Sequence, residues 1–251
     1  MQTAKQKLKR AAPWLFLLLV LAGLAAVRGL AANYEIGYEI MNGDFQNYNP
    51  VRHLLAGQIP YRDFTVYLGA GELYSVGGLL LVLGNNFGRS MFATNFCTWF
   101  YFELLVLAVC LVVIGTARAA RAAALALCSV FFAYVQGANL PFAGQVNTLL
   151  SYAAANGNSA RMMRSAALTL AVLVILLGLH FWQQDTSRRL LAPAVLVPFA
   201  AGFFVPWSND MGGAAYISIA LGYGLYLIRL YRSSIGKIVV QTLRYIVTSV
   251  V

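Results

Sequence analysis

The chain has 251 residues, of which 60% are hydrophobic and only 10% are charged, and its formal net charge is +10. Because about a quarter of the residues of a soluble domain are charged, this composition excludes a soluble globular protein and indicates one that lies in a lipid bilayer. The basic residues stand singly or in pairs between apolar blocks, which argues against a nucleic-acid partner and indicates contact with anionic lipids or lipid-linked phosphates.

The first element in the chain is a basic N-terminus followed by an apolar run from Ala11 to Val27. This run is longer than the apolar region of about 7–15 residues in a cleaved signal peptide, so it predicts an uncleaved signal-anchor helix. Further apolar stretches are long enough to cross the bilayer. The predicted spans are 12–32, 90–116, 122–138, 165–183, 189–207 and 213–231. The predicted fold class is therefore all-α: a multi-pass transmembrane helical bundle with juxtamembrane helices in its first external loop.

A further apolar block, Val66 to Leu83, decides the topology, because it contains Glu72 and several glycines and could either cross or lie in the interface. Lys and Arg near membrane helices favour the cytoplasmic side. Only if this block does not cross do seven later basic residues join the basic N-terminus on that side: Arg118, Arg121, Arg188, Arg189, Arg229, Arg232 and Lys237. This arrangement predicts a cytoplasmic N-terminus, an external loop over 33–89, and an external loop around Asp210.

The remaining parts of the chain are assigned more coarsely. Residues 139–164 are interpreted as an external, partly interfacial stretch. The apolar run that begins at Ile238 is interrupted by Gln241 and Arg244, so it is either an interfacial helix or the start of a longer region; the second interpretation is favoured. The whole chain, 1–251, is interpreted as one transmembrane domain and as the N-terminal part of a longer module.

The segment between the first two apolar blocks concentrates the polar chemistry of the chain. It contains four of the eight carboxylates, namely Glu35, Glu39, Asp44 and Asp63. Within it, Asn49 can cap a helix, Pro50 suits the first helical position, and Gly57 suits the position after the last turn. A short amphipathic helix at the membrane surface is therefore predicted, with Arg52 or His53 on its polar side.

Asp44 precedes this predicted helix and is the leading candidate for a catalytic residue. A carboxylate at the mouth of a membrane cavity is partly desolvated, which raises its pKa and makes it a stronger base. The alternative is a structural role, in which Asp44 caps the helix or pairs with Arg52.

The same segment resembles the first external loop of the GT-C superfamily of membrane glycosyltransferases, in particular the protein-mannosyltransferase-like and aminoarabinose-transferase-like enzymes. The resemblance covers about residues 12–120 and rests on Asp44-Phe45-x-x-Tyr48, Arg52, Leu55-x-Gly57-x-x-Pro60-Tyr61-x-Asp63-Phe64 and Gly71-x-x-Tyr74. The chain departs from the family in having Asp44-Phe45 where many relatives have an acidic pair. It also has Leu68-Gly69-Ala70-Gly71-Glu72 in place of a proline-rich helix start.

The resemblance implies transfer of a sugar from a polyprenyl-phosphate donor to an acceptor hydroxyl, with Asp44 as general base and Asp63 as a second acidic residue. Arginine suits a leaving phosphate because its donors match the phosphate oxygens. The substrate-binding candidates are Arg52, His53, Arg62, Glu72, Arg89 and Asp210. A divalent metal ion is left open as a cofactor, and the acceptor is a glycan, a lipid or a protein.

Two other classes of function remain open. A transporter or flippase of lipid-linked sugars would depend on an acidic residue deep in the membrane, and Glu103 lies well inside the predicted span 90–116. A non-catalytic assembly subunit would tolerate the loss of every loop carboxylate. The expected location is a bacterial inner (plasma) membrane.

Overall fold

A computed structural model describes residues 4–34, 44–134, 161–184 and 191–250. Across these ranges the regular structure is helical and contains no β-strand, so the all-α prediction is confirmed for the described residues. The helices are α1 (Ala4–Tyr34), α2 (Asp44–Leu55), α3 (Ala70–Leu83), α4 (Phe87–Ile114), α5 (Ala119–Tyr134), α6 (Arg161–Gln184), α7 (Leu191–Trp207), α8 (Gly212–Leu230) and α9 (Ile235–Val250), with a 3₁₀ turn at Thr116–Arg118.

Three of the described helices contain a stretch that is long and apolar enough to cross a membrane: Ala11–Leu30 in α1, Phe87–Ile114 (α4) and Gly212–Leu230 (α8). The predicted spans at 122–138, 165–183 and 189–207 also fold as helices, but their apolar stretches are shorter. The end of the span predicted at 122–138 and most of the stretch 139–164 lie outside the described residues. The regular structure of the described part is thus helical, and three of its helices contain candidate membrane spans.

Helix α4 lies at the centre of the fold, where it packs against α1, α5 and α6. Its contacts with α1 and α5 involve the small buried residues Ala25, Ala122 and Ala126. Small residues let two helix backbones approach closely, which is how helices associate in lipid. The guanidinium of Arg28 lies 4.7 Å from the ring centroid of Trp99, so α1 and α4 also share a cation–π contact.

Helix α2 begins at Asp44 and not at Pro50, so the predicted helix start is wrong by six residues and Pro50 lies inside the helix. Proline removes one backbone hydrogen bond and crowds the preceding turn. That cost is offset here by tertiary packing, because Val51 and Leu54 pack against α3 in a common apolar cluster. The predicted apolar face of this helix is therefore confirmed, although its start is not.

The predicted end of α2 is confirmed. Gly57 has φ +83°, its N–H donates to the carbonyl of Leu54, and the N–H of Gln58 donates to the carbonyl of His53. These two bonds form the Schellman motif, which satisfies the last carbonyls of a helix. A side chain is disfavoured at this backbone conformation, which explains the glycine.

Helix α3 is the element that the sequence left between two arrangements. It has 14 residues, so it rises about 21 Å, less than the roughly 30 Å of the hydrocarbon core. It packs back along α4, where the hydroxyls of Ser75 and Tyr101 lie 3.0 Å apart. Its length favours the arrangement in which 66–83 does not cross the membrane by itself.

Helix α9 packs lengthwise against α7 and α8. Tyr245 is buried and stacks on Tyr223, with ring centroids 5.3 Å apart, and the hydroxyls of Tyr216 and Ser249 lie 2.9 Å apart. These contacts run in opposite directions along α8 and α9, so the two helices are antiparallel. The stretch 238–250 is thus helical and packs against α7 and α8, and both interpretations of it stay predictions.

The start of α3 is held against the end of α7 by a close backbone approach. A Cβ atom added to Gly71 would fall on the indole ring of Trp207, whereas one added to Gly78 in the same helix would meet no atom within 4 Å. The absence of a side chain at position 71 is thus what allows Trp207 to lie on α3.

We expect Gly71→Ala to destabilise the protein by about 1–3 kcal/mol, because overpacking forces the surrounding groups to shift. The matched control, Gly78→Ala, should be neutral or stabilising by about 0.5–1 kcal/mol, since alanine is the better helix former. Thermal unfolding of the purified protein in detergent measures both. Equal effects of the two substitutions would contradict the packing of Trp207 on α3.

Candidate functional site

The predicted residues of the α2–α3 loop (residues 56–69) are mostly engaged with one another. The carboxylate of Asp63 accepts from Arg62 at 2.8 Å and from the backbone N–H of Ile59 at 2.7 Å. The hydrogen bonds from Arg62 and then Ile59 hold the pKa of the Asp63 carboxyl below its usual value. Asp63 therefore closes a turn in this loop, and its charge is balanced by its neighbour.

The other polar candidates of the first loop have separate local partners. The guanidinium of Arg52 lies 5.8 Å from the ring centroid of Tyr48, and the His53 ring stacks on Phe64 at 5.2 Å. The side chains of Arg52 and Arg89 are exposed to solvent. These arginines are therefore accessible to a ligand, but their contacts do not join them into one cluster.

Asp44 is the first residue of α2. Its side chain lies outside the part of the chain that the structure describes, as do Glu35 and Glu39 entirely. The backbone of Asp44 thus lies at the N-terminus of α2, and the catalytic role of this residue stays a prediction. A carboxylate at this position is favoured by the free N–H groups of the first helical turn.

The structure brings the α2–α3 loop into contact with the α7–α8 loop (residues 208–211). The Tyr61 hydroxyl donates to the carbonyl of Pro206 at 3.0 Å. The side-chain amide of Asn209 donates to the carbonyls of Val66 at 3.0 Å and Tyr67 at 2.7 Å. We call this contact between the two loops the loop junction. It joins two polar segments that lie more than 140 residues apart in the chain.

An ion pair between a buried arginine and a half-exposed aspartate anchors the loop junction to the start of α6. The Nη1 atom of Arg164 lies 2.6 Å from Oδ1 of Asp210 and 3.5 Å from the carbonyl of Leu68. The Arg164 side chain is only 7% exposed, whereas that of Asp210 is 54% exposed. Arg164 therefore contacts both loops from within the fold.

Asp210 also organises the start of α8. It accepts from the Ser208 hydroxyl at 2.8 Å and from the backbone N–H of Met211 at 2.9 Å. Partial burial by itself raises the pKa of Asp210, but the Ser208 hydrogen bond, the Arg164 charge and the backbone hydrogen bonds outweigh it, so the pKa is lowered. Asp210 is thus a carboxylate that stays ionised.

Glu72 lies beside this ion pair, in the first turn of α3. It is 4% exposed, and neither carboxyl oxygen accepts a hydrogen bond from a described residue. It lines a cavity of about 10 Å³ together with Pro50, Tyr67 and Gly69, which is room for about one water molecule. Glu72 lies outside the three candidate spans, and burial raises the pKa of its carboxyl to about 8 against the opposing field of Arg164.

The candidate functional site is therefore the loop junction with Arg164, Asp210 and the buried acid Glu72. Two predicted substrate-binding residues, Glu72 and Asp210, are brought together here. Among the described residues no group of three or more His, Cys, Asp or Glu side chains could hold a metal ion.

Arg164 is the residue that the sequence interpretation missed. The predicted topology places Arg164 on the external side and gives it no role in a site. The available signal was its placement on the same side as Asp210, since a cation and an anion at neighbouring helix ends can pair. The charge pattern alone does not show which of several external arginines makes this pair.

Comparison with protein-family models, with curated proteins and with solved structures finds no match to this chain. The resemblance of the first external loop to the GT-C superfamily therefore remains an expectation, and what it implies is taken up as a proposal.

The raised pKa of Glu72 makes a prediction for stability against pH. Between about 4.5 and about 8, folded Glu72 holds a proton that unfolded Glu72 has lost. Because the folded state then binds more protons, the free energy of unfolding falls as pH rises through this range. We expect Glu72→Gln to remove this fall, so that the variant is the more stable protein above about pH 8.

The measurement is thermal unfolding of the wild type and the variant over the same pH series, in which the difference between the two curves cancels other titrating groups. Asp63→Asn serves as the control of opposite sign, because the pKa of Asp63 is lowered and its stabilising effect is lost as pH falls. Parallel curves for the wild type and Glu72→Gln would show that Glu72 is not a buried neutral acid.

Proposed function

We propose that this chain is a multi-pass membrane glycosyltransferase of the GT-C type. In this proposal it transfers a sugar from a polyprenyl-phosphate donor to an acceptor hydroxyl on the outer face of a bacterial plasma membrane. The observation that supports the proposal is the convergence of two polar loops that the charge pattern assigns to the same side of the membrane.

The proposed topology has the N-terminus of α1 in the cytoplasm. The candidate spans in α1, α4 and α8, together with α5, α6 and α7, then cross the bilayer in turn. The start of α6, the end of α7 and the start of α8 share one side, where Arg164, Trp207 and Asp210 contact the region around the start of α3. This is the arrangement that a substrate site on the external side requires.

The proposed chemistry is a single displacement at the anomeric carbon. The acceptor oxygen forms the new bond to this carbon, the bond from the carbon to the donor phosphate oxygen breaks, and the acceptor proton passes to Asp44. Such a displacement inverts the anomeric configuration. Arg52 and Arg89 are exposed and free to approach a phosphate from the loop side, where paired donors would neutralise the charge on the leaving group.

Asp63 is proposed only as an auxiliary acid, because it is already committed to its turn by Arg62 and Ile59. A nucleophile or base must be free to accept the proton that it removes. Asp44 begins α2 and occupies the position that matches the catalytic Asp in the resemblance to the GT-C superfamily. The choice of Asp44 over Asp63 follows from this match and from the local engagement of Asp63.

One observation favours a second candidate function, a transporter or flippase of lipid-linked sugars. Glu103 is completely buried in α4, inside a candidate span. An ionisable residue at such a depth is costly and marks a functional position by default. A transporter would depend on Glu103, whereas the proposed transferase depends on Asp44.

We expect Asp44→Asn to lower sugar transfer by about 10²–10⁴-fold, because loss of a general base has this effect. Asp63→Asn should retain most of the activity, and Glu103→Gln should retain transfer. The measurement is transfer from a panel of polyprenyl-phosphate sugars in membranes that contain the full-length protein, with expression checked for each variant.

Full activity of Asp44→Asn would overturn the proposal. Loss of lipid-linked sugar movement in Glu103→Gln, with no transfer in any variant, would support the transporter instead. The same assay with and without a chelator decides whether a divalent metal takes part.

A further inference from the structure

A hydrogen-bond acceptor and a donor that are buried beside the loop junction both lack a partner among the described residues. The carboxyl oxygens of Glu72 accept no hydrogen bond from a described residue, and the Nε–H of Arg164 is buried and donates none to one. The positive charge of Arg164 nevertheless acts on Glu72. A buried polar group without a hydrogen bond is costly, so a hydrogen bond between an ionised Glu72 and Arg164 would be favourable.

The groups around Glu72 come from every element packed near it. Helix α6 contributes Arg164, and behind it the α7–α8 loop contributes Asp210. The α2–α3 loop contributes Tyr67 and α2 contributes Pro50 to the cavity wall. Helix α4 contributes Tyr101, whose hydroxyl contacts Ser75, one turn further along α3. Arg164 is the charge that faces Glu72 in this set.

We infer that Glu72 is a proton-binding switch that controls the loop junction. When Glu72 is protonated, Arg164 remains on Asp210 and on the carbonyl of Leu68. When Glu72 ionises, it draws Arg164 away from both, and the α2–α3 and α7–α8 loops loosen from each other. This inference does not depend on the proposed transferase activity.

The direction of the change follows from the difference in exposure of the two acids. Asp210 is 54% exposed, so water can replace Arg164 there at small cost, as at surface ion pairs in general. Glu72 is 4% exposed and its cavity has room for about one water. An ionised Glu72 therefore has a much stronger need for the guanidinium.

The switch is poised because opposing effects act on Glu72. Burial favours the protonated form, whereas the positive charge of Arg164 opposes it, and the pKa is raised to about 8. The position in the first turn of α3 also favours the ionised form, because the free N–H groups of a helix start attract negative charge. Both forms are thus accessible under ordinary conditions.

The experiment is hydrogen–deuterium exchange of the full chain in lipid nanodiscs at a series of pH values on either side of about 8, corrected for the intrinsic pH dependence of exchange. In the wild type, exchange of peptides covering 61–71 and 206–211 should rise with pH, by about tenfold for each unit until the loops are open, because the ionised fraction rises in that proportion. Glu72→Gln should keep the slow exchange throughout. Peptides from the centre of α4 serve as the internal control.

A second measurement guards against a variant that folds poorly. Infrared spectra of the wild type should contain the carbonyl band of a buried protonated carboxylic acid that disappears over the same pH range, and Glu72→Gln should lack this band. The inference is overturned if exchange in the two loops does not depend on pH. It is equally overturned if exchange slows as pH rises, if Glu72→Gln shows the same dependence as the wild type, or if the band persists in that variant.

Discussion

The structure around the candidate site depends on where one buried guanidinium, that of Arg164, finds its partners. A buried charge is tolerated only where an opposite charge and hydrogen bonds compensate for the loss of water. Arg164 finds Asp210 at the α7–α8 loop and the carbonyl of Leu68 at the end of the α2–α3 loop. These loops must therefore meet at the start of α6. The other contacts of the loop junction join the same two loops.

The remaining contacts of the loop junction are mostly made to backbone atoms. Asn209 donates to the carbonyls of Val66 and Tyr67, and Tyr61 donates to that of Pro206. Backbone N–H and C=O groups have to be hydrogen-bonded wherever water is scarce. Here the side chain of Asn209 supplies hydrogen bonds to the backbone of another loop, as a neighbouring strand does in a β-sheet. The close approach of Trp207 to Gly71 completes the contact on the side of α3. Order in these loops thus comes from side chains that satisfy the backbone of another segment.

Much of the fold could be predicted from sequence because lipid imposes a simple pattern. Long apolar blocks became α1, α4 and α8, and the glycine at position 57 marks the end of α2. The start of α2 could not be predicted in the same way. A proline normally indicates a helix start, but packing of Val51 and Leu54 on α3 stabilises a helix that runs through Pro50. Tertiary contacts decided this boundary, and the local sequence does not contain them.

The candidate site was predictable only in part. The sequence indicated that Glu72 and Asp210 were candidates for substrate binding and that the two loops lay on the same side of the membrane. It could not indicate that Arg164 joins the two loops. Arg164 and Asp210 are 46 residues apart in the chain, and they pair only because of the relative positions of α6, α7 and α8. It also could not distinguish Asp63, which a neighbouring arginine neutralises, from Glu72, whose carboxyl oxygens accept no hydrogen bond from a described residue. Partners of this kind are set by packing and not by spacing.

Because Glu72 is buried, its protonation state affects the contact between the two loops. A neutral carboxylic acid in a small cavity costs far less than a buried ion, so the protonated form is compatible with a closed junction. An exposed acid such as Asp210 keeps its charge at every ordinary pH, and water competes with it for Arg164. The two acids therefore compete for Arg164, and Glu72 attracts it strongly only when Glu72 has lost its proton. A glutamine has nearly the same volume as a glutamate but cannot ionise, so acidity and not volume is the property of residue 72 on which the proposed switch depends.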